Sequence, residues 1–266
     1  FYESFMEGDY SIPPCLKRRR DLTVALSVKS MLPEDRRSQP YRLPNAASRF
    51  LMGRNQAPPY QSGVVVAANL AHEAFDASTA LWMLKGVEPH SVAFSNGRMA
   101  VTDGDGVKVY NLRTGERRRY AWPWLSHVHT AEFSPDGTRL LISSTFDAVV
   151  ELDLDTGLST WEWFAVEHGY ARALSGEHVT RSADIARQWE AQGRTVLLLD
   201  DPARWKFGLP TRQQPVHVNA ARYWDAEHIL VTRFHPGHAL LINRQTGRST
   251  EVATGLLNPH GLFKNP

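Results

Sequence analysis

His129-Thr-Ala-Glu-Phe-Ser-Pro-Asp-Gly-Thr-Arg-Leu-Leu-Ile-Ser-Ser144 is the stretch that decides the fold. It reads as a short strand, a tight turn at Asp136-Gly137 and a second apolar strand, because Asp-Gly accepts the positive φ angles that a narrow hairpin needs. A third strand, Val149–Asp153, follows, closed by Thr156-Gly157. Upstream the same succession runs His90-Ser-Val-Ala-Phe-Ser-Asn-Gly-Arg-Met-Ala-Val-Thr-Asp103, then Val107–Asn111 and Thr114-Gly115. Downstream it recurs as Asn219–Tyr223, Ile229–Arg233, Ala239–Asn243 and Thr246-Gly247.

Gly157 and Gly247 stand 90 positions apart, which leaves room for one further copy. That copy is expected at His168–Leu174, with His178–Arg181 as its second strand and Thr195–Asp200 as its third. The intervening 182–193 carries a serine cap, helical spacing and a glycine stop, and is predicted to be a short helix. Gly63–Asn69 and Ala80–Leu84 read as strands of an earlier unit, and a last one begins at His260. Self-similarity at about 40 residues is the signature of blades. The predicted fold is therefore all-β, a β-propeller of about six blades of four antiparallel strands with one helical insertion. Residues 51–266 would form it. Residues 1–50 would be an N-terminal segment; either its strands, such as Leu22–Val28, complete the last blade and remove an open sheet edge, or the sequence is truncated within that blade.

Ser134-Pro-Asp-Gly137 with the following Leu-Leu-Ile-Ser, Asp155-Thr-Gly157 and Pro259-His-Gly-Leu262 resembles the repeats of NHL and YVTN-type propellers over about residues 60–266. The resemblance implies the fold and leaves the activity open, since such propellers include enzymes and scaffolds.

The chain has 266 residues, 42% of them hydrophobic, enough for a sizeable core. Thirty Lys and Arg against 28 Asp and Glu leave a net charge of +2, too balanced to suggest nucleic acid or an anionic membrane as partner. The single Cys15 excludes an intrachain disulfide and a cysteine-rich zinc site. A cytoplasmic location is expected, with secretion or the periplasm as alternatives because the chain starts at Phe1.

Histidine placement carries the functional reading. Of eleven histidines, His90, His129, His168 and His260 take the same first position of an inner strand, and His127 and His217 lie two residues before it. Residues two apart on an extended chain share a side, so these six should converge on the mouth of the channel. Each alone is readily explained as a strand cap. As a set, several imidazoles need water, an anion or a metal between them. A ring of His90, His129, His168 and His260 suits iron, copper or zinc. His127 and His217 would then support the ligands or carry protons, Arg181 and Arg233, at the ends of second strands, would orient an anionic group, and Asp103, at the equivalent strand end, is a further candidate catalytic residue. The arginines have an alternative in ion pairs with Asp103, Glu167 or Asp184.

The expected function is a metal-dependent enzyme, of oxygenase or lyase class, acting on a small anionic or aromatic molecule. In arrangement it resembles peptidylhydroxyglycine amidating lyase and the carotenoid oxygenases. The alternatives are a metal-free lyase or hydrolase using histidine acid and base, as the virginiamycin B lyase suggests, and a propeller that binds a protein or peptide.

Overall fold

A computed structural model describes residues 23–29, 62–69, 80–205 and 207–261. β4 (Val92–Ser95), β5 (Arg98–Thr102), β6 (Gly106–Asn111) and β7 (Arg117–Ala121) form an antiparallel sheet in chain order. β8 (Thr130–Phe133), β9 (Arg139–Ser144), β10 (Ala148–Asp153) and β11 (Ser159–Phe164) form a second. β14 (Val218–Tyr223), β15 (His228–Arg233), β16 (His238–Asn243) and β17 (Ser249–Ala253) form a third. Ahead of them β1 (Thr23–Lys29), β2 (Ser62–Asn69) and β3 (Ala80–Val87) make a three-stranded sheet. This is an all-β, propeller-type fold.

The blades repeat down to single hydrogen bonds. Between third and fourth strands, Asn111, Asp153 and Asn243 each accept through Oδ1 the backbone N–H of Thr114, Thr156 and Thr246. Gly115, Gly157 and Gly247 follow at φ of 75°, 76° and 69°, a conformation that a side chain would strain.

First strands set the packing: β1 lies against β4, β4 against β8, and β14 against both β8 and β9. The middle blade is thus covered on both faces, and its strands are apolar on both. Leu140 and Ile142 join one core with Val107, Tyr120 and Leu125, whereas Leu141 and Val149 join another with Val218, Val231 and Leu240.

The copy expected at residue 168 is not a blade. β12 (His178–Thr180) and β13 (Val196–Leu198) pair in parallel, joined by the helix α1 (Ala183–Ala191). Parallel neighbours need a crossover, and the helix provides it. The helix itself falls where predicted, with the Ser182 hydroxyl accepting the Ile185 N–H and Gly193 just past its end at φ 74°. Because β14 already occupies the flank of β8 and β9, this unit stays outside the row of blades. Val179, Leu197, Leu199, Trp205 and Leu209 pack it onto the first core. Gly208 docks so closely that a side chain there would collide with Thr145 Oγ1. The described residues thus give four propeller sheets where about six units were expected.

The proposed closure of the last blade pairs a strand beginning at His260 with Leu22–Val28, and residues 262–266 lie outside the described ones. What is described is that β1 pairs antiparallel with β2.

Candidate active site

Three short segments precede or begin inner strands with one recurring conformation, and a fourth, near the end of the described residues, shares it. They are Glu88-Pro-His90, His127-Val-His129, His217-Val-Asn219 and Asn258-Pro-His260. Their leading residues have φ of 45°, 40°, 52° and 45°. Non-glycine residues rarely adopt this left-handed region, at a cost of about 1–3 kcal/mol each, and such residues cluster at functional sites. The middle residues Pro89, Val128 and Val218 are buried, and so are Glu88, His127, His217 and Asn219. Asn258→Gly should therefore hold stability or raise it by up to about 1 kcal/mol, and Asn258→Val should lower it by about 1–2 kcal/mol, as read from urea midpoints.

Buried side chains hold the triplets. The Thr102 hydroxyl accepts the N–H groups of His90 and Ser91 at 2.8 and 3.0 Å, and Asp103 accepts that of Val87 at 3.1 Å. For the second triplet, Ser143 accepts the His129 N–H through its carbonyl and the Thr130 N–H through its hydroxyl. For the third, the Asp147 carboxylate accepts Val216 N–H at 2.7 Å and Val218 N–H at 3.2 Å. Asn219 Nδ2 donates to Pro259 O at 3.3 Å and so joins the third triplet to the fourth.

The imidazoles meet. His90 and His129 are 5.1 Å apart between ring centres, edge to face, and His129 and His217 are 5.4 Å apart. His217 also lies 5.3 Å from His235 and 4.8 Å from Phe234, which in turn packs on His260 at 4.9 Å. Glu88, only 1% exposed, has its carboxylate against His127 Nδ1 and has His90 Nε2 at 3.9 Å. His235 Nε2 is 2.7 Å from the Thr211 carbonyl, so the insertion's last 3-10 turn, Thr211–Gln213, leans on the cluster. Burial, with His235 and His260 nearby, pushes His217 down to about 3. It is neutral across the ordinary pH range. Asp147 is wholly buried, and loss of solvation pushes it up to about 7.

His90, His127, His129 and His217 are thus brought together by ring contacts and by Glu88, and His260 joins them through Phe234. His168 is not. It stacks on Trp163 at 5.5 Å and 6° and covers Gly247, in a 3-10 turn (Ala165–His168) where the other triplets are left-handed. Its counterpart two positions earlier is Val166, whose branched Cβ disfavours the left-handed conformation. Asp103 is a buttress, bonded to Lys108 Nζ at 2.8 Å beside Arg119. The arginines hold carboxylates of their own, Arg181 on Glu167 at 2.7 Å and Arg233 on Glu251 at 2.8 Å.

Sequence reasoning passed over Glu88 and Asp147, and placed the loop Phe234-His-Pro-Gly-His238 on this face without giving His235 a role. Alignment of Glu88 and Asn258 with His127 and His217, two residues before each inner strand, would have found the first. Among the described residues no three of His, Cys, Asp and Glu stand as a preformed metal site, and no helix is long and apolar enough to cross a membrane.

A scan against protein families and a search of curated proteins each find no match. Among solved structures, the chain is similar to the Cps50 (Swd1) β-propeller domain of Myceliophteria thermophila at 14% identity and a TM-score of 0.42, covering 74% of this chain and 52% of that one. Hydrazine synthase of Kuenenia stuttgartiensis matches at 11% identity and 0.39, over 65% and 38% of the two chains. Glutaminyl cyclase of Myxococcus xanthus matches at 12% and 0.35, over 71% and 62%. Likeness at this level carries no argument, and the propeller-type fold rests on the blades themselves.

Proposed function

We propose that the chain is an enzyme acting on a small molecule at the histidine cluster, with His127 as the acid–base group. The observation that carries this reading is the buried Glu88–His127 pair on a left-handed backbone. A carboxylate on Nδ1 selects the tautomer with its proton there and leaves the lone pair on Nε2. The imidazole then takes a proton through Nε2 and returns it to a leaving group, while Glu88 balances the charge gained. His217 stays neutral and serves by hydrogen bonding. His90 and His129 line the same place.

A second reading keeps a transition metal, iron, copper or zinc, and is favoured by the ring spacings. Two imidazoles bound to one ion at about 2.0–2.1 Å have ring centres roughly 4.5–5.2 Å apart. The pairs His90–His129 and His129–His217, at 5.1 and 5.4 Å, come near that range. His90, His129 and His217 would be the ligands after rotation of their rings, in place of the expected set with His168. The metal would supply Lewis acidity.

Metal analysis of the purified protein after reconstitution separates the two readings. Stoichiometric metal lost in His129→Ala supports the metal. Protein that stays metal-free, with an activity from a lyase and hydrolase screen that falls about 10²–10⁴-fold in both His127→Ala and Glu88→Gln, supports acid–base catalysis. An activity indifferent to both substitutions and to metal rejects both.

A further inference from the structure

The histidine cluster has an open side and a closed one. On the open side the His90 side chain is 22% exposed, whereas on the other His217 is 7% and Asn219 2% exposed. Phe234 closes that second side. Its ring lies 4.8 Å from that of His217, 5.3 Å from His235 and 4.9 Å from His260, so it stands between the buried His217 and the exposed His260. The backbone around it is tied at three points. Phe234 N–H donates to His217 O at 3.1 Å, His235 Nε2 is 2.7 Å from Thr211 O, and Leu256 N–H donates to Gly237 O at 2.8 Å. The matching position after the second strand is Gly104 in the sheet β4–β7 and Thr145 in the sheet β8–β11. Of the three four-stranded blades, only the last puts a large side chain there, which the repeat itself does not require.

We propose that Phe234 is a specificity-determining residue, the back wall that confines the cluster to small molecules arriving from the His90 side, given the reading of this cluster as the place of reaction. Protein interiors are packed too closely for a bulky molecule to pass such a ring unless the ring moves. The three backbone ties oppose that movement. One methylene more or less against an apolar wall changes rates by about 10–200-fold, so a fixed phenyl ring sorts substrates by size. Removing the ring joins the cluster to the space beside His235 and His260 and admits bulkier molecules.

Nuclear magnetic resonance of the histidine rings in the full chain tests the wall with two paramagnetic probes of unequal size, dissolved oxygen and the bulkier nitroxide TEMPOL. Oxygen is expected to relax the His217 ring protons, and the nitroxide to relax them at least threefold less than those of His260. Phe234→Ala should remove that difference, and Phe234→Leu, the gentler change, should reduce it. The His90 response should stay as in the parent, which a general loosening of the fold would not allow. Near-ultraviolet circular dichroism checks that each variant is folded. These responses do not depend on turnover, so they can fail while the acid–base role of His127 holds, and the reverse. A parent His217 as open to the nitroxide as His260, or closed to oxygen as well, overturns the proposal. So does a nitroxide response at His217 that is unchanged in both folded variants, or that rises equally at His90.

Discussion

Replacing Glu151 with alanine is expected to cost about 3–5 kcal/mol, a large share of the stability of a domain. Glu151 lies on β10 and is fully buried. Its oxygens accept from Arg244 Nη2 at 2.7 Å, the Tyr223 hydroxyl at 2.7 Å, the Thr160 hydroxyl at 2.8 Å and Arg139 Nη1 at 3.2 Å. Tyr223 belongs to β14 and Arg244 follows β16, so this one carboxylate fastens the middle blade to the last. Burial, and after it the negative charge of Glu151, push the Tyr223 hydroxyl upward, and the tyrosine remains a donor at all working pH values. Without the carboxylate, Arg244, 16% exposed, is left with its charge uncompensated between blades. Arg139, 34% exposed, can turn to water and softens the loss. Urea unfolding measures the effect. A loss below about 1 kcal/mol would mean that the network contributes nothing net. Because desolvation weighs against every buried pair, the triple change Glu151→Leu, Tyr223→Phe and Arg244→Met should recover much of what the single change removes.

The second large effect belongs to Asp147. Alanine there leaves the Val216 and Val218 N–H groups buried without acceptors, at about 1–3 kcal/mol each. It also frees the turn that holds His217, so any activity at the cluster should fall with stability. The pH dependence is more diagnostic. Asp147 is raised to about 7 in the folded chain, so between about pH 4 and 7 the folded state holds a proton that the unfolded state has lost, and stability falls as pH rises. His217 is lowered to about 3, so between pH 3 and 6.5 the unfolded state holds the extra proton, and stability rises with pH. Each contributes a slope of up to about 1.4 kcal/mol per pH unit, of opposite sign. The two offset one another in the parent between pH 4 and 6.5. In Asp147→Asn the counterweight is gone, and stability should climb more steeply over that window. His217→Asn should show the reverse. Parallel urea-midpoint profiles for parent and variants would contradict both assignments.

Strand order within a blade was readable because it is local. Period-two alternation, Asp-Gly or Asn-Gly hairpins and Thr-Gly closures are written within a few residues of the strands they join. The unit at residue 168 shows where that stops. His178-Val-Thr-Arg181 looks like Ala100-Val-Thr-Asp103, yet it pairs in parallel, because a helix replaces the tight turn. The missing closure was a local warning, since Asp200-Asp-Pro202 stands where the other copies have Thr-Gly.

The sequence by itself determined the blades and their turns, the helix at 183–191 and the repeated position at which histidines precede inner strands. It did so because hydrophobic period and turn chemistry act over a few residues. Tertiary structure alone decided which histidines meet, that His168 leaves the set for Trp163, and that Glu88 and His235 enter it. It also turned Asp103 and Asp147 into supports for the site. Those outcomes depend on which blade lies beside which, and that is set by the fit of buried faces distant in the chain.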